Sequence, residues 1–245
     1  MLPQSKKKII NAIRKDDKVL DVGGWENPFP LATHIIDIGT YETRKGNRTG
    51  EHFSKNTWVT RDICNHEPWP YEDKEFDFVV CSHLLEDVRD PLWVCSEMQR
   101  VGKAGYIETP SRGTESVMGR DWDSPFREEY AGFWHHRWLV EIKNDGLVFT
   151  FKSPLVSLKA VRVSKCLDDG AVAFFWRDAF PFRERFMFDT MDFVKDQLDF
   201  IESHGGKPMN ALPAVRLRFG ILLSKSSFVR KLYTQLKRSL RFVFF

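Results

Sequence analysis

The sequence predicts an α/β fold with a mostly parallel central sheet, and two observations indicate it. Short apolar runs recur along the first half of the chain, at residues 18–22, 34–38, 57–60, 76–81 and 105–108. Runs of this length are typical of buried parallel strands. A helical spacing of apolar residues, from Leu92 to Val101, comes just before the last run. This alternation of strands and helices favours a parallel sheet.

The second half of the chain is predicted to add a β-hairpin, a further strand and a helix. Asn144, Asp145 and Gly146 indicate the hairpin, because these residue types favour a tight reversal with positive φ. Gly205 is typical of a residue that ends a helix. The predicted hairpin strands are 137–143 and 147–152, the further strand is 171–176, and the helix is 189–204.

The sequence also predicts how the chain is organised. Residues 113–136 interrupt the strand pattern and are rich in aromatic, basic and acidic side chains. We interpret them as an insertion or lid within a domain at 1–204. The last 43 residues contain nine Lys or Arg and no Asp or Glu, so 205–245 is predicted to be a basic amphipathic tail with a C-terminal helix. The apolar face of this helix, at 228–245, is expected either to contact an anionic membrane surface peripherally or to pack on the protein's own sheet.

The composition excludes several classes of protein. The 245 residues are 42% hydrophobic and 29% charged, with a formal net charge of +3, which excludes disordered, collagen-like and coiled-coil chains. No run approaches the roughly 18 apolar residues of a membrane span, and no apolar stretch follows the basic N-terminal cluster. The four cysteines form no C-x-x-C pair, so we expect a cytoplasmic location. Nucleic acid is not an expected partner, because the body of the chain is acidic.

Three acidic residues follow three successive predicted strands. Asp21, Asp37 and Asp62 stand at the ends of the first, second and third strands. In an open parallel sheet, ligands bind beyond the carboxyl ends of the strands, so these carboxylates are expected to converge on one crevice. The alternative is that each Asp only caps a turn or helix.

From Val19 to Leu147 the sequence resembles the class I S-adenosylmethionine-dependent methyltransferases, in particular the methyltransferase type 11 group. The resemblance rests on Val-Leu-Asp-Val-Gly-Gly at 19–24, His-Ile-Ile-Asp at 34–37, and the blocks at 70–88 and 105–110. It implies a Rossmann-like sheet and S-adenosylmethionine as the cofactor. The cofactor-binding residues that it implies are Asp21, Gly23, Gly24, Asp37, Asp62, Ile63, Ser82 and His83.

The resemblance also assigns parts of the cofactor to these residues. Asp37 would hold the ribose, and Asp62 with Ile63 would hold the adenine. Ser82 and His83 would lie beside the methionine end.

The chain departs from the family pattern in its first glycine loop. Trp25 and Asn27 stand at the second and third glycine positions. Only 15 residues separate Asp21 from Asp37, and Pro28 breaks any helix between them. The first crossover is therefore predicted to be truncated. A second departure is Asp87, at a position where the family often has His.

Methyl transfer mainly requires the donor and the acceptor to be aligned in a dry site. If the acceptor is a hydroxyl, a general base helps, and the candidates are His83, Glu108, His135 and His136. We favour His136, which begins a His-x-Trp element that recurs in this group, together with Glu108, which alternatively only orients the cofactor. No metal is expected, because adjacent histidines on a strand point in opposite directions and no carboxylate stands at ligand spacing.

These observations predict an enzyme that transfers a methyl group to a small-molecule or glycan-like acceptor, by O-methylation. Aromatic side chains between Trp122 and Trp138 suit a saccharide, unless they form a packed minicore. In one alternative, the protein has the same fold but no catalytic activity, and its basic tail recruits it as a scaffold to a membrane or a partner. A nicotinamide-dependent oxidoreductase is disfavoured, because the Gly-x-Gly-x-x-Gly spacing is missing.

Overall fold

The computed structural model describes residues 1–45 and 50–210. Four helices and nine strands follow one another along this part of the chain. The helices are α1 (Pro3–Ala12), α2 (Pro91–Val101), α3 (Arg112–Glu115) and α4 (Thr190–Ser203). The strands are β1 (Val19–Val22), β2 (His34–Asp37), β3 (Trp58–Thr60), β4 (Phe78–Ser82), β5 (Ala104–Pro110), β6 (Trp138–Lys143), β7 (Gly146–Phe151), β8 (Ala171–Arg177) and β9 (Phe182–Glu184).

The central sheet has six strands in the order β3-β2-β1-β4-β5-β8. β1 pairs in parallel with β2 on one side and with β4 on the other, and only β8 runs antiparallel to its neighbour. The chain therefore moves outward from β1 to β3 and then returns to β4. This reversal opens a crevice at the carboxyl ends of β1 and β4. The predicted mostly parallel, Rossmann-like sheet is confirmed.

Apolar side chains cover both faces of this sheet. On one face, α2 buries residues spaced along one side of the helix, including Val94, Met98 and Val101, against Leu20 of β1. On the other face, Ile9 of α1 joins a second cluster of buried side chains, which also contains Phe29, Ala32, Ile35, Phe53, Trp58 and Tyr106. Apolar burial at both faces explains why the strands are nearly continuous apolar runs.

The first crossover, residues 23–33, contains no helix. Its buried side chains, Phe29 and Ala32, instead pack directly on the sheet, and the Phe29 N–H donates to the Asp21 carboxylate at 2.7 Å. The truncation predicted from the prolines is therefore present. A short loop anchored by one buried carboxylate covers the sheet where a longer crossover would usually carry a helix.

The predicted hairpin is also present. β6 and β7 pair in antiparallel register from Trp138 opposite Phe151 to Lys143 opposite Gly146. Asn144 and Asp145 have φ of 51° and 59°, which is the backbone of the turn that their sequence predicted. β9, which the sequence analysis missed, extends this pair into a separate three-stranded sheet in the order β6-β7-β9.

The described chain divides into two compact units. The first consists of residues 1–115, 133–153 and 168–186, and the second of 116–132, 154–167 and 187 onward. The boundary passes through the predicted insertion at 113–136. In the second unit, α4 buries Val194 and Leu198 against Val161, and the Gln197 amide donates to Ser116 Oγ at 2.6 Å. The predicted helix at 189–204 is present, with Asp189 as its N-cap.

The described residues contain no candidate membrane span. Among residues 1–45 and 50–210, no helix has the length and apolar character needed to cross a bilayer. The predicted tail helix lies almost entirely within 211–245, outside the described residues.

The core around Phe76 offers a direct test of the packing. Phe76 is fully buried and its ring contacts Tyr71 and His34, with centroids 4.8 and 5.2 Å away. Phe76→Ala is expected to lower the free energy of unfolding by about 3–5 kcal/mol, because the lost contacts leave a cavity. Urea denaturation measures this change. The control is Phe126→Ala, since Phe126 is 68% exposed; equal losses in the two variants would contradict the packing.

Candidate functional site

Two cavities lie at the carboxyl ends of the central strands, both within the first unit. The larger has a volume of about 400 Å³ and the smaller about 250 Å³. Gly23, directly after β1, lines both. The larger is lined by Met1, Lys6, Asp21, Gly23, Glu26, Asn27, Pro28, Phe29, Pro30, Val80, Ser82 and His83. The smaller is lined by Gly23, Asp37, Ile38, Asp62, Ile63, Cys64, Leu84, Val88, Arg89 and Arg137.

The turn after β1 requires glycine at Gly23. Its φ is +82°, and a Cβ there would lie 2.8 Å from the Leu84 side chain, so the position excludes other residues on conformational and steric grounds. The Gly23 N–H donates to the Ile36 carbonyl at 3.0 Å. Gly24 was predicted to bind cofactor, but it packs against Asp21, whose Oδ2 would lie 2.6 Å from a Cβ at this position. Gly24 lines neither cavity.

Trp25, at the second glycine position of the family pattern, also lines neither cavity. Its indole packs on Gly39, where a Cβ would lie 2.2 Å from the ring, and its Nε1–H donates to Thr43 Oγ1 at 3.1 Å. The bulky side chain is therefore directed along the β2 loop. Of the two substitutions in the glycine loop, only Asn27 contributes to a cavity wall.

Asp37 stands at the end of β2, as predicted, and lines the smaller cavity. Its Oδ1 accepts from the Gly39 N–H at 2.7 Å and its Oδ2 accepts from the Trp25 N–H at 3.0 Å. Burial raises the pKa of Asp37, and these main-chain donors oppose the rise. Because each carboxylate oxygen can accept more than one hydrogen bond, both remain available to a ligand hydroxyl.

Asp62 and Ile63 line the same cavity. Asp62 accepts from the Cys64 N–H at 2.9 Å and pairs with Arg89 at 2.7 Å, and these interactions lower its pKa, with the Cys64 hydrogen bond as the main cause. Asp62 therefore caps a turn, as the alternative prediction has it, and it also faces the cavity. Ile63 forms an apolar wall there together with Ile38, Leu84 and Val88.

The larger cavity carries charges of both signs. Lys6 and His83 contribute the positive groups and Glu26 contributes a negative one, while the buried carboxyl of Asp21 adds a hydrogen-bond acceptor. The pKa of His83 is raised to about 9, because the carboxylates of Glu108 and Glu86 stabilise its protonated ring. His83 is therefore an imidazolium at neutral pH, and the predicted role of general base does not suit it.

Glu108 is buried beneath His83 and lines neither cavity. Burial alone would raise its pKa, but hydrogen bonds from His83 at 3.0 Å, from the Tyr106 hydroxyl and from the Leu2 N–H at 2.8 Å lower it to about 2. The carboxylate fixes the His83 ring, which is neither of the two roles predicted for Glu108, namely general base and orientation of the cofactor itself.

His136 lies in the segment before β6, and its ring is buried. Its Nδ1 is 2.7 Å from Glu115 Oε1, and Glu115 in turn accepts from Lys152. The sequence predicts no metal here on the grounds that His135 and His136 point apart on a strand and that no carboxylate stands at ligand spacing. This geometric premise is wrong: both residues lie outside any strand, their ring centroids are 4.6 Å apart, and Asp87 faces both.

The insertion presents aromatic side chains to solvent. Trp122 and Phe126 of the second unit, and Trp134 of the first, are all largely exposed, so these three do not form a packed minicore. Arg112, at the start of α3, is buried and paired with Glu141 at 3.4 Å.

Sequence reasoning missed several residues at this edge. Lys6 reaches the larger cavity because α1 packs over the sheet, and no local pattern signals that contact. Arg137 lines the smaller cavity from the start of the hairpin. Asp87 did carry a signal, because it replaces a residue that is often His in the family that the chain resembles.

Residues 33–107 match the family model described as a methyltransferase domain. The match spans β2 to the middle of β5, so it includes Asp37, Asp62, Ile63, Ser82 and His83. It confirms the resemblance to the class I methyltransferases, whose cofactor is S-adenosylmethionine. No curated protein matches the chain.

Solved structures similar to this chain include three proteins described as methyltransferases. One, from an antibiotic biosynthesis pathway of Anabaena variabilis, is 15% identical, with a TM-score of 0.39 over 51% of this chain and 53% of that one. One from Aquifex aeolicus is 19% identical, with a TM-score of 0.34 over 51% and 72%. One from Methanosarcina mazei is 22% identical, with a TM-score of 0.33 over 52% and 62%. This chain spans about half the length of the first.

The environment of Asp21 predicts a pH dependence of stability. Burial raises the pKa of Asp21 to about 7, although the Phe29 N–H opposes this rise. Between about pH 4 and pH 7 the folded protein keeps a proton that the unfolded chain has released, so unfolding becomes more favourable as pH rises, by up to ~1.4 kcal/mol per pH unit. Asp21→Asn removes this dependence and keeps an acceptor for Phe29.

Chemical denaturation of both proteins across this pH range measures the effect. The free energy of unfolding of the wild type is expected to fall relative to that of Asp21→Asn as pH rises. A difference between the two proteins that stays constant with pH would contradict a protonated Asp21.

Proposed function

We propose that the protein is an S-adenosylmethionine-dependent methyltransferase that methylates a hydroxyl of a small-molecule or saccharide acceptor. The observation that carries this proposal is the pair of cavities that share Gly23, one mainly apolar with two strand-end carboxylates and one lined with opposite charges. This division matches the two halves of the cofactor, a nucleoside and a zwitterionic amino acid. The larger cavity also falls within the roughly 300–1,000 Å³ typical of small-molecule sites.

The smaller cavity suits the nucleoside half. The Asp37 carboxylate has accepting capacity left for ribose hydroxyls after its two main-chain hydrogen bonds. Ile38 and Ile63 offer apolar faces for the adenine ring, and Asp62 offers an acceptor for its amino group. The retained Gly23 lets the main chain turn closely between the two cavities.

The larger cavity suits the methionine half. In the family pattern, glycine-loop N–H groups approach this end, and the substitutions at Trp25 and Asn27 alter that loop. Lys6 and the His83 imidazolium offer an alternative partner for the α-carboxylate. Asp21 and Glu26 offer partners for the α-ammonium group. The methionine end of the cofactor would thus be bound by four side chains, those of Lys6, Asp21, Glu26 and His83, where the family pattern uses main-chain N–H groups.

When bound, the cofactor supplies an activated methyl group, and the residues of this chain mainly align and enclose the reactants. His83 already carries a proton at neutral pH, so it is suited to binding a carboxylate and not to accepting a proton. For a hydroxyl acceptor, His136 remains the proposed catalytic residue. The Glu115 carboxylate binds Nδ1 of the His136 ring. The other ring nitrogen, Nε2, therefore points away from Glu115 and is the one that could accept a proton.

The acceptor class rests on exposed aromatic side chains. Trp134 of the first unit is 72% exposed, and an indole face suits the apolar face of a sugar ring. The free, buried thiols of Cys64, Cys81 and Cys95 support the proposed cytoplasmic location. Peripheral membrane contact through 228–245 also remains a proposal.

A second candidate function is a scaffold that has kept the fold without catalysis. The observation in its favour is the altered glycine loop, in which Asn27 contributes to the wall of the larger cavity. A scaffold of this kind would have no affinity for the cofactor or its product. Cofactor binding therefore separates the two functions.

Calorimetric titration with S-adenosylhomocysteine tests the proposed site. The wild type is expected to bind, and Lys6→Ala is expected to reduce the affinity about ten-fold, because a charge-assisted hydrogen bond contributes roughly 1.5–3 kcal/mol. The matched control is Lys7→Ala, since Lys7 is the next residue of α1 and is exposed outside both cavities.

Two results would count against the proposal. Absence of binding by the wild type would favour the scaffold. Equal affinity of Lys6→Ala and Lys7→Ala would leave cofactor binding intact but remove the assignment of the larger cavity to the methionine carboxylate. A parallel titration with NAD, from which no binding is expected, controls for general nucleotide affinity.

A further inference from the structure

We propose that Asp87, His135 and His136 form a binding site for a zinc ion. In the part of the chain that the structure describes, they form a three-residue group whose ligand atoms all lie within 4.8 Å of one another. The Nε2 atoms of His135 and His136 lie 3.8 and 3.7 Å from Asp87 Oδ1. Zinc bonds of roughly 2.0–2.1 Å in a tetrahedral site would place ligand atoms about 3.4 Å apart, close to these distances.

The ligand types favour zinc over the common hard cations. Two imidazoles and one carboxylate are a ligand set that Zn²⁺ uses when a fourth position is left for water or substrate. Ca²⁺ and Mg²⁺ prefer oxygen ligands, of which this group offers only the Asp87 carboxylate.

Asp87 Oδ1 is unusual for a buried carboxylate oxygen. It is inaccessible to solvent and has no hydrogen-bond partner among residues 1–45 and 50–210. Buried polar atoms are nearly always paired with protein, water or an ion, so an unpaired one requires an explanation. A metal ion between Asp87 Oδ1 and the two Nε2 atoms would give this oxygen a partner.

The His136 ring has the outer-sphere support that a metal ligand requires. Its Nδ1 lies 2.7 Å from Glu115 Oε1, and Lys152 Nζ lies against Glu115 Oε2. A ligating histidine almost always donates its second ring N–H to a carboxylate or carbonyl, which fixes the tautomer and the ring orientation. The Phe133 ring packs against the same imidazole, with centroids 4.7 Å apart.

The main chain holds the two contributing segments together. The Glu86 carbonyl accepts from the N–H groups of Arg137 and Trp138 at 2.6 and 3.1 Å. The Val88 carbonyl accepts from Trp138 Nε1–H at 2.9 Å. Asp87 therefore lies between two residues that are bonded to the segment following His136, so the ligand atoms are brought together before any ion binds.

An ion has a route into this site, because His135 is 45% exposed while His136 is almost fully buried. The site also adjoins the smaller cavity through chain neighbours, since Val88 follows Asp87 and Arg137 follows His136, and both line that cavity. With zinc bound, His136 Nε2 would be a metal ligand and could not also serve as the general base. The ion itself would then polarise an acceptor oxygen bound at its open position. Zinc binding itself does not depend on the proposed methyl transfer.

The test uses the full chain without an affinity tag, stripped with a chelator and then equilibrated with zinc. Elemental analysis after dialysis is expected to give one zinc per chain, and titration with Co²⁺ is expected to give the visible absorption of a tetrahedral site. His135→Ala and Asp87→Asn are each expected to abolish both signals. Glu115→Gln is expected to weaken affinity 10–100-fold, the usual effect of losing an outer-sphere partner.

His66→Ala is the matched control, because His66 is also paired with a carboxylate, that of Asp90 at 2.8 Å, and is not part of the group. It is expected to bind zinc like the wild type. Thermal unfolding of each zinc-free variant establishes that it folds, and an excess of Mg²⁺ is expected not to displace zinc. Wild type without stoichiometric zinc, or binding unchanged in both His135→Ala and Asp87→Asn, would overturn the site.

Titration of the same variants with S-adenosylhomocysteine separates this inference from the proposed function. Zinc binding without S-adenosylhomocysteine binding would leave the metal site standing and remove the methyltransferase. The opposite result would remove only the metal site.

Discussion

The parallel pairing of β1 with both β2 and β4 is the constraint on which the candidate site depends. All four residues of β1 are buried, and its register aligns Val22 with Ile36 on one side and with Cys81 on the other. The three carboxyl ends therefore finish at nearly the same level, and the loops that follow them must turn away from one another. The two cavities form at this divergence, with Gly23 at its centre.

The truncated first crossover has a consequence for how a ligand would be recognised. A helix after β1 would present main-chain N–H groups and a positive dipole end to an anionic ligand. Here residues 23–33 form no helix, and the Asp21 carboxylate anchors Phe29 instead. An anion bound in the larger cavity would meet cationic side chains instead, those of Lys6 and His83. Such recognition depends more on pH and salt than a main-chain cradle does.

Most of the fold could be predicted from the sequence, but only about a third of the residues that line the two cavities. The strands, α2 and the hairpin could be predicted because each depends on local signals, namely apolar period, chain length and the turn residues Asn144 and Asp145. Asp37, Asp62 and Ile63 followed from their places at strand ends. Lys6 and Arg137 could not be found in this way, since each reaches its cavity through contacts between segments far apart in sequence.

The prediction about His135 and His136 failed for a related physical reason. Opposite side-chain directions follow from strand geometry, but these residues precede β6 and lie outside any strand. Their surroundings are set by Glu86, whose carbonyl binds the two residues after His136, and by Glu115, more than twenty residues earlier in the chain. Neither contact can be inferred from the local spacing of residues in the sequence.

One segment of the chain orients both histidines that flank the β4 loop. Glu108, on β5, holds His83 at the start of that loop, and Glu115, at the end of α3, holds His136 opposite Asp87 at its other end. Both carboxylates are buried, and their charges are compensated by several groups, the histidine among them, so the loss of any one partner is costly. These interactions hold the two rings in place, and the positions of the ring nitrogens follow from the folding of β5 and α3.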